Sequence, residues 1–96
     1  MAIIHHPAVA VDIAKAVRWY REIDPTLAAA FREELASALV RIEKAPTRFH
    51  FDRVGWRRLN FKRFPYHILF EDEQGVIRVM VVRHHHQKPS FGVSRA

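Results

Sequence analysis

Residues 57–70 read RRLNFKRFPYHILF, and the way this stretch divides decides the fold. Four cations fall within its first seven positions, and Tyr66-His67-Ile68-Leu69-Phe70 then looks like core around one histidine. Strand alternation sorts the two characters, because successive side chains of a strand point to opposite faces. Over 56–61, Arg57, Leu59 and Phe61 share one face, and Trp56, Arg58 and Asn60 take the other. Arg63-Phe64-Pro65-Tyr66 becomes a turn with Lys62 and Arg63 at its rim, and 66–71 forms a second strand. Leu59, Phe61, Ile68 and Phe70 can then face a common core while Arg58 and Asn60 face away. Arg57 shares the apolar face and must lie at the sheet margin.

Working outward, Glu71-Asp72-Glu73-Gln74-Gly75 is a polar turn with a glycine where positive φ is needed. Residues 77–84 form a third strand, with Ile77, Val79 and Val81 on one side and Met80 and Val82 on the other. A strand apolar on both faces belongs in the sheet interior. Short connections make these three strands antiparallel. Upstream, residues 2–5 suit an edge strand, and Pro7 suits the first position of a helix. Val9, Ile13, Ala16, Val17 and Tyr20 recur on one helical face, with Asp12, Lys15, Arg18, Arg21 and Glu22 on the other. This helix ends near Ile23. Asp24 then caps a second helix that opens on Pro25. Its stripe is Leu27, Phe31, Leu35, Ala38, Leu39 and Ile42, and Pro46 stops it. The tail, HHHQKPSFGVSRA, reads as polar and mobile. The expectation is a single α+β domain over 1–96, in the order β-α-α-β-β-β. A helical hairpin packs on one face of a curved antiparallel sheet, and the other face stays open.

Composition narrows the function. The chain has 96 residues, 49% hydrophobic and 27% charged, and no cysteine, which excludes disulfides, thiolate zinc sites and a thiol nucleophile. With no apolar span and no basic-then-apolar leader, the reading is a cytoplasmic protein with no membrane partner. The net charge is +6, and all of it lies in the second half: residues 1–44 hold six cations and six anions, residues 45–96 ten and four. Five cations and no anion lie between Arg53 and Arg63. Clustering of this kind points to an acidic or phosphate-bearing partner. Arg57, Arg58, Lys62, Arg63 and Arg83 are candidates, since a guanidinium grips carboxylate and phosphate in two-pronged fashion. The histidines at 84–86 would set His84 and His86 on one side, but no third or fourth ligand is apparent, so no metal and no cofactor is expected. His67, alternating with core residues, reads as a buried, satisfied histidine. No glycine-rich phosphate loop or paired catalytic carboxylates are present.

Three segments together resemble a known group: VDIAKAVRWYREIDPTLAAAFREELASALVRIEKAP, RRLNFKRFPYHILF and IRVMVVRHHHQKPSFGVSR. They resemble the RelE/ParE toxin superfamily of bacterial toxin–antitoxin modules, and within it the ParE-type, or plasmid stabilisation, branch. The most specific features are Trp19-Tyr20, Arg57-Arg58, Arg63-Phe64-Pro65-Tyr66, and His84 followed by Pro89. The resemblance implies a toxin neutralised by a ParD-like antitoxin whose acidic C-terminal segment wraps it, in a hetero-oligomeric complex. It implies inhibition of DNA gyrase, and hence of replication, by a protein that is not an enzyme. The alternative is a ribosome-dependent, metal-independent mRNA endoribonuclease of RelE type, with Arg57, Arg83 and His84 as its nearest catalytic set. The tail aromatic, Phe91, lacks the hydroxyl such a nuclease would use, and His85-His86-Gln87 stands where the ParE pattern has cations. The residues expected to meet target or antitoxin are Arg57, Arg58, Lys62, Arg63, Arg83, His84, His86, Lys88 and Arg95. Apolar strips from Val9, Val17, Leu27 or Phe31 are expected to lie exposed until an antitoxin covers them.

Overall fold

A computed structural model describes residues 2–95; Met1 and Ala96, the ends of the expected domain and tail, lie outside the described residues. The elements are β1 (Ala2–His5), α1 (Val9–Ile23), α2 (Pro25–Lys44), a 3-10 turn at Pro46–Arg48, β2 (Arg57–Asn60), β3 (Tyr66–Glu73) and β4 (Val76–His84). This is the expected α+β order, with the helical hairpin packed on the sheet. The strands lie in the order β1-β4-β3-β2, so β1 is an edge strand and β4 is interior, as its two apolar faces require. The sheet is mixed rather than wholly antiparallel, because β1 runs parallel to β4. A hairpin turn forces reversal only on strands that are neighbours in sequence; the helices between β1 and β4 remove that constraint.

Asp24 ends α1 and caps α2, its carboxylate accepting the Thr26 amide at 2.9 Å. That bond holds the Asp24 carboxyl below its usual pKa. Pro25 occupies the first turn of α2, where its missing N–H costs nothing. Pro7 does not play this part in α1. The His6 ring accepts the Ala8 amide at 3.1 Å and the His6 carbonyl accepts the Val9 amide, so Pro7 sits in the preceding turn. Both helices bury their stripes, α1 through Val9, Ala16 and Val17, α2 through Ala28, Phe31, Leu35, Ala38 and Ile42. Phe31 is the hub, its ring 5.6 Å from Tyr20, 5.5 Å from Phe61, 5.4 Å from Phe64 and 5.1 Å from Tyr66. Each such contact is worth about 1 kcal/mol beyond the area it buries.

Three features of the sheet depart from simple alternation. The β3–β4 hairpin closes on two residues, Gln74 and Gly75, both with positive φ, so Glu71, Asp72 and Glu73 belong to β3 and not to a turn. A bulge in β4 then leaves Met80 unpaired, since Leu69 faces Val81 while Phe70 faces Val79. One extra residue reverses the sides beyond it. Ile77, Val79 and Val82 therefore join the helix-side core, and Met80 and Val81 join Leu69 on the other face; the expected grouping of Val81 with Val79 fails for this reason.

The third feature is that the far face is not open. Trp56 and Phe91 pack on Leu69, Met80 and Val81. The tail is docked there rather than detached. Asp12, expected on the solvent side of α1, is buried because it receives the tail's Arg95 at 2.7 and 2.9 Å and the Val82 amide at 3.0 Å. Among the described residues no helix is long and apolar enough to cross a membrane.

Gly92 marks the tightest point of the tail: its φ is +81°, and an added Cβ would lie 2.6 Å from Val81 Cγ2. Gly92→Ala should cost about 1–3 kcal/mol through backbone strain and overpacking, read as a lowered denaturation midpoint with unchanged slope. An unchanged midpoint would mean the tail does not dock in solution.

Candidate functional site

Behind the sheet, on the face away from the helices, lies a pocket of about 440 Å³ lined by Phe51, Asp52, Arg53, Arg58, His67, Arg83, His85, Gln87 and Pro89. Its floor is set by strand register. His67 on β3 stands across from Arg83 on β4 and from Asn60 on β2. The bulge at Met80 is what turns Arg83 to this side. Arg83 is 4% exposed and His67 2%. The Arg83 Nε donates to His67 Nε2 at 2.9 Å, and its Nη1 donates to the carbonyls of Pro89 at 2.7 Å and Phe91 at 3.1 Å.

This arrangement decides the histidine tautomers. A guanidinium only donates, so His67 Nε2 accepts and Nδ1 bears the proton. That proton points at His85 Nδ1, 2.9 Å away. His85 must therefore accept on Nδ1 and carry its own proton on Nε2. Burial, then the charges of Arg58 and Arg83, push His67 from an ordinary 6.5 down to about 3. Protonating it would set N–H against N–H at Arg83. Burial and Arg58 also lower His85, so both rings are neutral at pH 7.

Arg58 forms the wall. Its Nε donates to Asn60 at 2.8 Å and its Nη1 to Asp52 at 3.2 Å. Burial alone would raise the Asp52 pKa; bonds from Arg58 and from the Arg53 amide outweigh it and leave the carboxyl below the usual value.

The remaining expected site residues divide sharply. Arg57 lies at the sheet margin, as its face demanded, held by Asp72 at 2.8 Å, by the Phe49 carbonyl at 2.8 Å and over the Phe51 ring at 4.3 Å. Arg83 and Arg95, expected as partner contacts, are held from within, Arg83 by His67 and the carbonyls of Pro89 and Phe91, Arg95 by Asp12 and the Met80 carbonyl. Lys62, Arg63, His86 and Lys88 are exposed. Lys62 and Arg63 ride a loop whose two amides donate to the Glu34 carboxylate of α2, that of Arg63 at 3.0 Å. His84 stacks edge-on against Tyr66 at 5.0 Å and meets the His86 ring at 5.1 Å. Among the described residues no group of three or more His, Cys, Asp or Glu could hold a metal ion.

Arg57, Arg83 and His84 do not converge. Arg57 pairs with Phe70 and His84 with Tyr66, helix-side positions four residues apart on β3, whereas Arg83 faces the other way. Two further concavities lie beside α1. One, about 710 Å³, is lined by Ala10, Ile13, Ala14 and Val17 of α1, with Arg18, Arg21 and Arg32 around it. The spacing of Arg18 and Arg21, three apart on a helix, was the available signal. The other, about 250 Å³, is enclosed by Trp19, Tyr66, Val82, His84 and Phe91 with Lys15 beside them.

Residues 3–89 match the family model described as ParE toxin of type II toxin-antitoxin system, parDE. The fold is similar to that of a chromosomal ParDE TA system from P. aeruginosa, with a TM-score of 0.78 at 16% identity over 88% of this chain and 95% of that chain. At that identity the likeness speaks for the fold. No curated protein matches the sequence.

The low folded-state pKa of His67 has a stability consequence. Between 6.5 and about 3 the unfolded chain takes up a proton at His67 that the native state refuses. Its contribution is complete above about pH 6.5 and is lost as the pH falls, by up to about 1.4 kcal/mol per pH unit. Denaturation midpoints measured from pH 7 to pH 5 should fall less steeply in His67→Gln than in the parent. Parallel curves would show that His67 is not buried neutral.

Proposed function

The chain belongs to the ParE toxin family of type II toxin–antitoxin systems, and on that premise we propose that a ParD-like antitoxin holds it inactive in the cytoplasm and that the freed protein inhibits DNA gyrase, blocking replication. The observation that carries the antitoxin half is the arginine-rimmed groove on α1. The expected strips do not serve, since Val9 and Phe31 are fully buried, Val17 is 3% exposed and Leu27 is half-buried. Ala10, Ile13, Ala14 and the edge of Val17 supply an apolar floor, and Arg18, Arg21 and Arg32 supply the charge. An acidic amphipathic segment fits such a surface: apolar side chains on the floor, carboxylates on the guanidinia. The resulting complex is hetero-oligomeric.

A protein target for the freed toxin is supported by the other side of α1. Trp19 is 62% exposed and flanks the small aromatic pocket with Lys15. Tryptophan beside a pocket is the usual anchor of a protein interface. Lys62, Arg63 and Lys88 add exposed cations for an acidic patch. The endoribonuclease alternative has less support, because Arg57, Arg83 and His84 are divided between two faces.

Two measurements decide these readings. Supercoiling by purified gyrase should fall at near-stoichiometric toxin, and Trp19→Ala should restore much of it; undiminished supercoiling, or new message ends by primer extension on translating ribosomes, would replace the gyrase reading. Reversing Arg18, Arg21 and Arg32 to glutamate should slow antitoxin association by about tenfold or more at low salt and flatten its salt dependence. An unchanged rate would move the antitoxin elsewhere.

A further inference from the structure

The pocket behind the sheet has more donors than the protein can use. Three guanidinia, Arg53, Arg58 and Arg83, surround one carboxylate, Asp52, an excess of two positive charges in a concave wall. The acceptors are already engaged. Asp52 already takes the Arg58 guanidinium and the Arg53 amide, and the Gln87 carbonyl takes the His84 amide.

The donors are not spent. Arg83 uses Nε and Nη1 and makes no bond through Nη2 among the described residues. Arg83 lines the pocket and no buried side-chain nitrogen or oxygen among the described residues lacks a partner, so Nη2 is assigned to the pocket side. Arg58 likewise commits Nε and Nη1 and leaves Nη2. The tautomer chain from Arg83 through His67 obliges His85 to present Nε2–H, and the Gln87 amide nitrogen completes the set.

We propose that these donors form a binding site for a phosphate-type dianion, carried by a nucleotide or free. The charge excess of two matches a phosphate monoester, which holds nearly two negative charges at pH 7. Donors arrive from β2, from β4 and from the tail, which suits a tetrahedral group; a planar carboxylate is satisfied by one fork. Arg83 is fixed before any ligand arrives, since Pro89, Phe91 and His67 hold its other nitrogens, so binding loses little side-chain freedom. Phe51, 64% exposed at the pocket edge, offers a ring on which a base can stack if the phosphate belongs to a nucleotide.

The His85 ring reports occupancy. It faces His67, stacked at 5.1 Å, with Arg58, His84 and His86 around it and Arg83 beyond His67. An anion among these groups offsets the cations, so the His85 titration midpoint must rise on binding. Inorganic phosphate titrated into the purified chain at constant ionic strength should shift the His85 ring resonances saturably and raise their midpoint. Arg58→Gln should weaken the response about tenfold, while Lys62→Gln leaves it intact. Should Arg58→Gln fail to fold, Arg53→Gln serves, with a smaller loss. Adenosine monophosphate binding more tightly than phosphate, with adenosine alone silent, identifies a nucleotide; equal affinities identify the free ion. A His85 response no different from that to chloride, or one undiminished in the folded arginine variant, overturns the proposal.

Discussion

A carboxylate with 4% of its side-chain surface exposed would ordinarily be a liability, because moving a charge out of water costs several kcal/mol unless a partner and further hydrogen bonds compensate. Asp12 has both. Strand β1 stops at His5, opposite Val79, and the next groups along β4 would be left without a strand. Arg95 donates to the Met80 carbonyl and Asp12 accepts the Val82 amide, while the two side chains bind each other through both carboxylate oxygens. One ion pair thus stands in for a missing piece of β1, and it joins α1, β4 and the tail. The exposed Arg78–Glu71 pair, 3.9 Å apart, is the contrast: solvated on both sides, it contributes little.

Because that pair pins the tail, Phe91 and Gly92 lie on Leu69 and Val81, and the carbonyls of Pro89 and Phe91 come within reach of Arg83. The bulge at Met80 completes the geometry by turning Arg83 toward His67. Neither device alone builds the pocket. Without the bulge the guanidinium would point into the aromatic core around Phe31; without the docked tail it would lose two of its three protein acceptors. The basic face and the helix groove are therefore products of the same chain path, placed on opposite sides of one sheet.

Much of this was readable in the order of residues. The helical hairpin followed from Asp24-Pro25 and two stripes, β4 went to the interior because both its faces are apolar, and Arg57 was assigned to the margin from the face it shares with Leu59. The failures have a common cause. Alternation counts residues in steps of two and cannot see a bulge, so Val81 and Val82 were exchanged. Periodicity on α1 ranks Asp12 as a surface residue because the partner that buries it, Arg95, is 83 positions away. The tail reads as polar because only Phe91 among its contacts is a large apolar side chain; the rest are made by carbonyls, a glycine and the Arg95 guanidinium. The internal bonds of Arg83 and Arg95 were out of sight for the same reason: a cation in a sequence does not disclose which acceptors already lie inside the fold.

Glu34 has an effect of a different kind. By accepting the amides of both Lys62 and Arg63, it ties the β2–β3 loop to the middle of α2. The two cationic side chains project from a backbone that is already anchored. A partner that meets this loop finds it ordered, and the entropy that a free loop would surrender on contact has been given up when the chain folds. The surface is small, but it arrives preassembled.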